Sequence, residues 1–316
     1  MGSIRPRRGE RRAGEGTAIL VALLTAASLV ATLAAGQPPP APSPPPQSAT
    51  PAEAGAARSA AAQGGPDSLA APADSLDAAG AKAIPDSDLV PAKVPWGPGE
   101  RLVFSIDYGP VNAGEGTLEV RGVEKSAGHP CYVIESRAAS NRFFSTFYMV
   151  RDKVTSFIDV HYLYSRFFAK RLREGDYRQN IEVRFDQDGG HARYADGRTF
   201  DTIRGVQDVL SAFYYVRTLD LAPGRTYEVT THNVRKDYPL QVIVHRRERV
   251  KVPAGEFDCV VVEPKIIGEG LFQHEGELTI WLTDDARRVP VLMKTRVKVG
   301  SIDASLKEYV PGKPLR

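Results

Sequence analysis

The feature that most constrains this chain is an alternation of apolar and polar residues that recurs between residues 102 and 306. In residues 181–185 every second side chain is apolar, and the run stops at Asp188-Gly189-Gly190, which is a typical hairpin signal. A period of two places alternate side chains on opposite faces of a strand. About ten or more such runs, joined mostly by short turns, predict an antiparallel sheet.

One segment departs from this period. Between residues 205 and 220, the apolar residues Val206, Val209, Leu210, Phe213 and Val216 fall three and four positions apart, which is the spacing of one face of an α-helix. A single helix in a β domain must bury that face on the sheet or across the mouth of a curved one. We therefore expect a mainly β fold: an antiparallel, strongly curved sheet or open half-barrel, with one main α-helix at about 205–220 packed on or over it.

The N-terminal residues have the pattern of an export signal. Residues 1–36 combine five arginines with an uncharged apolar run, 17–35, and end in the small residues Ala34-Ala35-Gly36, as a secretory signal peptide does. The run also approaches the ~20 residues of an uncleaved membrane anchor, and both alternatives remain open. Either predicts that the rest of the chain is exported, to the periplasm or in association with the outer envelope. An uncleaved anchor would be the chain's only contact with a membrane.

A linker is predicted after this segment. Residues 37–91 contain twelve of the 24 prolines and no aromatic residue, so they cannot bury enough apolar surface to offset the entropy of ordering. We expect this Pro/Ala-rich segment to be disordered and the folded domain to occupy residues 92–316.

Charge argues against one class of partner. The net charge of +3 for the whole chain equals that of residues 1–36, which hold five arginines and two glutamates, so the remainder is neutral. A nucleic-acid-binding surface needs a concentrated basic face. We therefore expect no nucleic-acid partner.

No constellation of residues indicates catalysis or a bound metal. The six histidines lack metal-ligand spacing, and the sequence has neither a G-x-S-x-G motif nor a phosphate-binding glycine loop. The expectation is a non-enzymatic protein without a cofactor. The two cysteines, Cys131 and Cys259, leave open a disulfide or two buried thiols.

Aromatic residues are concentrated in one region: ten of the 26 lie between Phe143 and Tyr177. Most are expected in the core, but a groove for an apolar ligand is the alternative, since each buried CH₂ contributes ~0.8 kcal/mol. The candidate ligand-binding residues are Phe143, Phe144, Phe147, Tyr148, Phe167, Phe168, Phe213 and Tyr214. Basic residues interleave with them: Arg166, Lys170, Arg171, Arg173 and Arg178. These fit the solvated face of a sheet, with contact to anionic headgroups or cell-wall polymers as the alternative.

Several motifs resemble one known family. The segments 99–109, 208–217 (DVLSAFYYVR), 252–259 (VPAGEFDC) and 280–293, which begins IWLTDD, resemble in this order the DUF3108 family of bacterial exported proteins of unknown function. The resemblance spans about residues 95–310. It implies an exported β protein with an open half-barrel related to lipoprotein-carrier folds and the helix against its concave face. It assigns no catalytic residues.

The signature residues of that resemblance are Asp208, Ser211, Tyr215, Arg217, Trp281 and Asp284, and it gives them no role. From the residues alone, Asp208 and Ser211 suit the first turn of the helix as caps. Trp281 suits a buried strand, and Asp284 a turn.

The leading functional hypothesis is a non-enzymatic module of the periplasm or cell envelope that binds an apolar or amphiphilic envelope component, such as a lipid, beneath the helix. An envelope scaffold or protein-interaction domain is the alternative. An envelope hydrolase, which would need two carboxylates with shifted pKa values in a cleft, ranks last. The sequence does not indicate an oligomeric state.

Overall fold

The computed structural model describes residues 92–233, 235–266, 278–296 and 301–315. The signal and linker predicted over residues 1–91 lie outside the described residues. The strands are β1 (Arg101–Tyr108), β2 (Val111–Ser126), β3 (His129–Ser140), β4 (Arg151–Asp159), β5 (Ser165–Glu174), β6 (Tyr177–Asp186), β7 (His191–Tyr194), β8 (Thr199–Asp201), β9 (Thr226–Asn233), β10 (Lys236–Val252), β11 (Gly255–Ile266), β12 (Leu278–Thr283), β13 (Pro290–Arg296) and β14 (Ser301–Val310). One α-helix, α1 (Val209–Val216), separates β8 from β9, and a short 3-10 helix covers Phe144–Thr146.

The strands form a single antiparallel sheet. Their order is β8-β7-β6-β5-β4-β3-β2-β1-β14-β13-β12-β11-β10-β9, so neighbours in the sheet are neighbours in sequence except where β1 pairs with β14. The edge strands are β8 and β9, and the sheet does not close by pairing them. The predicted mainly β fold with one helix and an open, curved sheet is confirmed.

The helix is shorter than the predicted span of 205–220, because the residues before it make strand-like contacts. Gln207 N donates to Thr230 O at 2.9 Å, and Gln207 O accepts from His232 N at 2.8 Å. Gln207 thus forms a parallel bridge with β9. On the other side, Ser165 N donates to Val206 O at 3.3 Å. The segment before α1 therefore lies between the start of β5 and the edge strand β9.

The core lies on the face of the sheet that α1 covers. Seven of the helix's eight residues are buried, so it is an interior helix rather than a half-exposed one. The Trp96 ring packs edge-on against Tyr132 of β3 and Tyr214 of α1, with centroids 4.7 and 5.0 Å apart. Among the described residues, no helix combines the length and apolar character needed to cross a bilayer.

The two ends of the described domain cross at close range. Lys313 N donates to Pro98 O at 3.0 Å. A Cβ on Gly312 would lie 2.1 Å from Gly97 O, so only glycine fits at this crossing. These contacts hold the segment before β1 against the segment after β14, next to the β1–β14 pair in the middle of the sheet.

Candidate functional site

The N-terminus of α1 is fixed by Asp208. Its Oδ1 accepts from Leu210 N at 2.8 Å and Ser211 N at 2.9 Å, which caps the helix as predicted. Its Oδ2 accepts from Ser156 Oγ of β4 at 2.6 Å and Ser165 Oγ of β5 at 2.5 Å. Complete burial raises the pKa of Asp208, while these four hydrogen bonds act in the opposite direction. The carboxyl thus ties the first turn of α1 to two strands.

The other end of α1 is fixed by Arg217, its C-cap residue. Arg217 Nη1 and Nη2 donate to Glu100 Oε1 and Oε2 at 2.7 and 2.9 Å, and both side chains are fully buried. Arg217 Nε also donates to Arg288 O at 2.9 Å. A bidentate pair of this kind is among the strongest side-chain contacts. The helix is therefore held by buried polar groups at both ends.

An apolar cavity, partly open to solvent, lies between α1 and strands β9 to β12. From the helix it is lined by Val209, Ala212, Phe213 and Val216, and from the strands by Thr231, Leu240, Val242, Val262, Pro264, Leu278, Ile280 and Leu282. Thr231 is the single polar residue among them. Its buried Oγ1 has no hydrogen-bond partner, so it is available to a polar group placed in the cavity.

A polar contact joins strands near the two edges of the sheet. The Tyr194 hydroxyl of β7 lies 2.9 Å from His232 Nε2 of β9, and His232 Nδ1 lies 2.6 Å from Asp237 Oδ1 of β10. Burial raises the pKa of Tyr194 to about 12. Partial burial opposes ionisation of Asp237, but hydrogen bonds from His232 and Thr202 hold its pKa below the ordinary value. No sequence pattern indicates this group, because its members come from separate segments.

A second buried ionic group lies on β4 and β5. Lys170 is 3% exposed and Glu174 is 2% exposed, and Asp152 Oδ1 accepts from Arg173 N at 2.9 Å. Burial lowers the pKa of Lys170 to about 8. Burial, and then the neighbouring Asp152, raise the pKa of Glu174 to about 8. None of the three residues lines the cavity under α1.

The structure does not bring the eight aromatic candidates together. Phe213 lines the cavity, but its neighbour Tyr214 faces Trp96. Phe168 is buried on β5, whereas Phe167 packs edge-on against Phe157 at 5.3 Å. The other four share the loop between β3 and β4: Phe143, Phe144, Phe147 and Tyr148. The aliphatic strand residues that line most of the cavity follow the same alternation as the other strands, and alternation alone does not distinguish a core from a cavity wall.

The remaining signature residues have structural contacts. Trp281 is buried on β12, and its Nε1 donates to Glu248 Oε1. Asp284, in the turn after β12, pairs with Arg247 at 2.5 Å and Arg288 at 3.0 Å. The hydrogen bond from Arg247 lowers the pKa of Asp284. Tyr215 is partly buried against the core.

The disulfide allowed by the sequence is not formed. Cys131 and Cys259 are both buried, on β3 and β11. Their Sγ atoms donate to His129 O at 3.4 Å and Phe257 O at 3.6 Å. Of the two alternatives, buried thiols are the one observed. In the part of the chain that the structure describes, no cluster of three or more His, Cys, Asp or Glu side chains could hold a metal ion.

A sequence profile described as "Protein of unknown function (DUF3108)" matches residues 103–307, which is most of the folded domain. The chain belongs to the DUF3108 family. The matched region contains α1, its Asp208 and Arg217 anchors and the whole cavity lining. No curated protein has a sequence that matches this chain.

Solved structures of other proteins also match this chain. A β-barrel-like protein of the DUF1849 family from Brucella abortus has 12% identity and a TM-score of 0.51, and the match covers 70% of this chain and all of that one. A presumed exported protein from Bacteroides fragilis (11% identity, TM-score 0.32, 70% and 100% coverage) and a presumed lipoprotein from Parabacteroides distasonis (12%, 0.32, 69% and 97%) also match. The first supports the β-barrel-like fold of this DUF3108 chain. The TM-scores of the other two are too low to indicate a shared fold.

Proposed function

We propose that this DUF3108 chain is a non-enzymatic binding domain of the cell envelope that holds an apolar or amphiphilic envelope component in the cavity under α1. The observation that carries the proposal is the cavity itself. It is apolar apart from the unpartnered hydroxyl of Thr231. The proposed envelope location of the domain rests on the export pattern of residues 1–36.

The chemistry of the cavity suits an apolar or amphiphilic ligand. The lining is apolar on both the helix side and the strand side, as it is in most small-molecule pockets. Each CH₂ that leaves water for this lining contributes ~0.8 kcal/mol. The Thr231 hydroxyl would pair with one polar atom of the ligand, and leaving such a group unpaired in a complex reduces affinity.

The anchors of α1 support binding by keeping the cavity formed. Asp208 and Arg217 fix the helix at both ends through buried hydrogen bonds. A ligand therefore does not have to supply free energy for ordering α1. A preformed site binds more tightly for the same contacts.

Filling the cavity tests the proposal. Ala212→Leu places extra methyl groups in the cavity and should weaken binding of an apolar fluorescent probe, N-phenyl-1-naphthylamine, by about tenfold. Ala169→Leu, on β5 and outside the cavity, is the matched control and should bind the probe normally. Native mass spectrometry of the wild type purified from cells should show a lipid-sized adduct that Ala212→Leu loses. Unchanged probe binding in a folded Ala212→Leu variant would overturn the proposal.

Thr231 tests the polar end of the ligand. Thr231→Val keeps the shape and removes the hydroxyl. We expect the variant to bind decane as the wild type does but to bind decanol several-fold more weakly, as measured by displacement of the probe. Equal losses for both compounds would contradict a polar contact at this position.

A further inference from the structure

The loop between β3 and β4 exposes two phenylalanine rings. Phe143 and Phe147 are 62% and 77% exposed, more than any other large apolar side chain among the described residues. Their rings pack edge to face with centroids 5.4 Å apart, and Phe144 lies 6.0 Å from Phe143. An exposed apolar cluster of this kind marks an interaction site.

Hydrogen bonds hold the loop in this conformation. Asn141 Oδ1 accepts from Phe144 N at 2.9 Å, and Asn141 Nδ2 donates to Asn112 O at 2.7 Å. Ser140 Oγ accepts from Val150 N at 2.9 Å and lies 2.8 Å from Ser145 Oγ. The loop thus satisfies its own polar groups and turns its apolar side outward.

Exposed arginines without ion-pair partners flank the loop. Arg142, Arg151, Arg173 and Arg178 are exposed, and none forms an ion pair with a described residue. Most other exposed arginines in the described ranges are paired: Arg121 with Glu119, Arg193 with Asp186 and Arg287 with Asp285 are examples.

Three of these arginines form a row across the sheet. Arg173 and Arg178 are partners in the β5–β6 register. The β4–β5 register, extended by two residues, places Arg151 opposite Arg173. Like charges in this position destabilise a sheet, so the fold alone does not account for the row. The β5–β6 turn contributes one exposed acid, Asp176.

The row and the loop form one surface. Gly175 N of the β5–β6 turn donates to Met149 O of the loop at 2.8 Å, and Val150 bridges to Glu174. We call this surface the rim patch; it consists of Arg142, Phe143, Phe147, Arg151, Arg173 and Arg178.

We propose that the rim patch docks on an anionic phospholipid bilayer, with Phe143 and Phe147 inserted at the boundary of headgroups and acyl chains. The rings project from a loop rather than line a groove, which suits a bilayer surface. Aromatic side chains beside cationic ones are the usual composition of an interfacial anchor, and the guanidinium fork matches a phosphate. This surface shares no residue with the cavity, so the inference stands apart from the proposed function. It departs from the expectation that only the N-terminal segment contacts a membrane.

A fluorescence experiment on the full chain tests insertion at the loop. In Phe147→Trp, the indole should shift to the blue and be quenched by brominated phosphatidylcholine in vesicles that also contain phosphatidylglycerol. Ile203→Trp is the matched control, because Ile203 is 55% exposed and lies outside the rim patch. An unquenched Phe147→Trp, or equal quenching of both variants, would overturn the proposal.

Co-sedimentation with vesicles separates the two parts of the rim patch. Phe143→Ser with Phe147→Ser should lower partitioning about tenfold or more on vesicles of phosphatidylcholine and phosphatidylglycerol. Arg173→Gln with Arg178→Gln should lower it about tenfold on those vesicles and leave it unchanged on phosphatidylcholine alone. Residues 1–36 are identical in every variant, so the differences report the rim patch. Unchanged partitioning in both double variants would overturn the proposal, as would a Phe147→Trp signal that responds to a protein but not to vesicles.

Discussion

Two of the buried ionic groups in the described residues differ in how their charges are satisfied. Arg217 and Glu100 form a one-to-one bidentate pair, and backbone carbonyls accept further hydrogen bonds from Arg217. Asp152, Lys170 and Glu174 place two carboxyls beside one amine, and Glu174 Oε1 has no hydrogen-bond partner. Both groups are buried, but only the first is complete.

Completeness of the contacts decides whether a buried ionic group keeps its charges or shifts its pKa values. A buried charge is tolerable when its hydrogen bonds and counter-charge are complete. Where they are incomplete, the group changes its pKa instead. That is the pattern of Lys170 and Glu174, whose pKa values both move to about 8. We therefore expect the second group to make stability depend on pH.

Removing Arg217 should have the largest effect. Arg217→Met leaves the Glu100 carboxylate buried without its partner, and we expect a loss of about 3–5 kcal/mol in the free energy of unfolding, measured by urea denaturation. Arg121→Met, which breaks an exposed pair with Glu119, is the control and should change the free energy of unfolding little. Similar losses of unfolding free energy for the two variants would show that the buried Arg217–Glu100 pair contributes no more than a surface pair.

Asp208 shows whether hydrogen bonds can replace a counter-charge. Its four donors are neutral, yet we expect Asp208→Ala to cost about 2–4 kcal/mol, because it removes a helix cap and leaves the Ser156 and Ser165 hydroxyls unpaired. Asp208→Asn keeps an acceptor for the helix and should lose less. Urea denaturation of the two variants would decide, and equal losses would indicate that charge, not hydrogen bonding, matters here.

Glu174 should make stability depend on pH. Its pKa in the folded chain, about 8, lies above the ordinary value of 4.5, so the folded state keeps a proton that the unfolded state releases. The Glu174 contribution therefore falls as pH rises from about 4.5 to about 8. Glu174→Gln should gain about 1–3 kcal/mol over the wild type across this range. Asp176→Asn, in the adjacent turn, is the control, and parallel pH profiles for the wild type and Glu174→Gln would contradict the prediction.

Removing Lys170 should have the smallest effect. At pH 5 the Glu174 carboxyl is protonated, and Asp152 keeps its hydrogen bond from Arg173 N, so we expect Lys170→Met to cost less than about 1 kcal/mol. The contrast with Arg217→Met is the sharpest form of the comparison, because each variant removes one buried cation. A loss as large as that of Arg217→Met in the same urea experiment would show that the Lys170 group is complete after all.

The sequence predicted what depends on local pattern. Alternation located the strands, three-and-four spacing located α1, and Asp208 was expected to cap it, because all three are set by neighbours in the chain. The limits of α1 were missed, since Gln207 contacts β9 instead of extending the helix.

Contacts between distant segments could not be predicted in this way. Glu100 and Arg217 are 117 positions apart, and no spacing rule links them. The strand residues that line the cavity were missed for a related reason: Val242, Val262 and Ile280 alternate as core residues do, and only the placement of α1 leaves space beside them. The exposure of Phe143 and Phe147 also depends on the loop's hydrogen bonds rather than on their apolar character.

The pairing of β1 with β14 has a consequence for the order of folding. Among the described strands, β1 leaves the ribosome first and pairs along one edge with the last, Ser301–Val310, so that edge of β1 stays open until nearly all the described strands have been made. Contacts between such distant segments slow folding, and an open strand edge can pair with another chain. A chain truncated before residue 301 would carry both halves of the sheet without the strand that joins them.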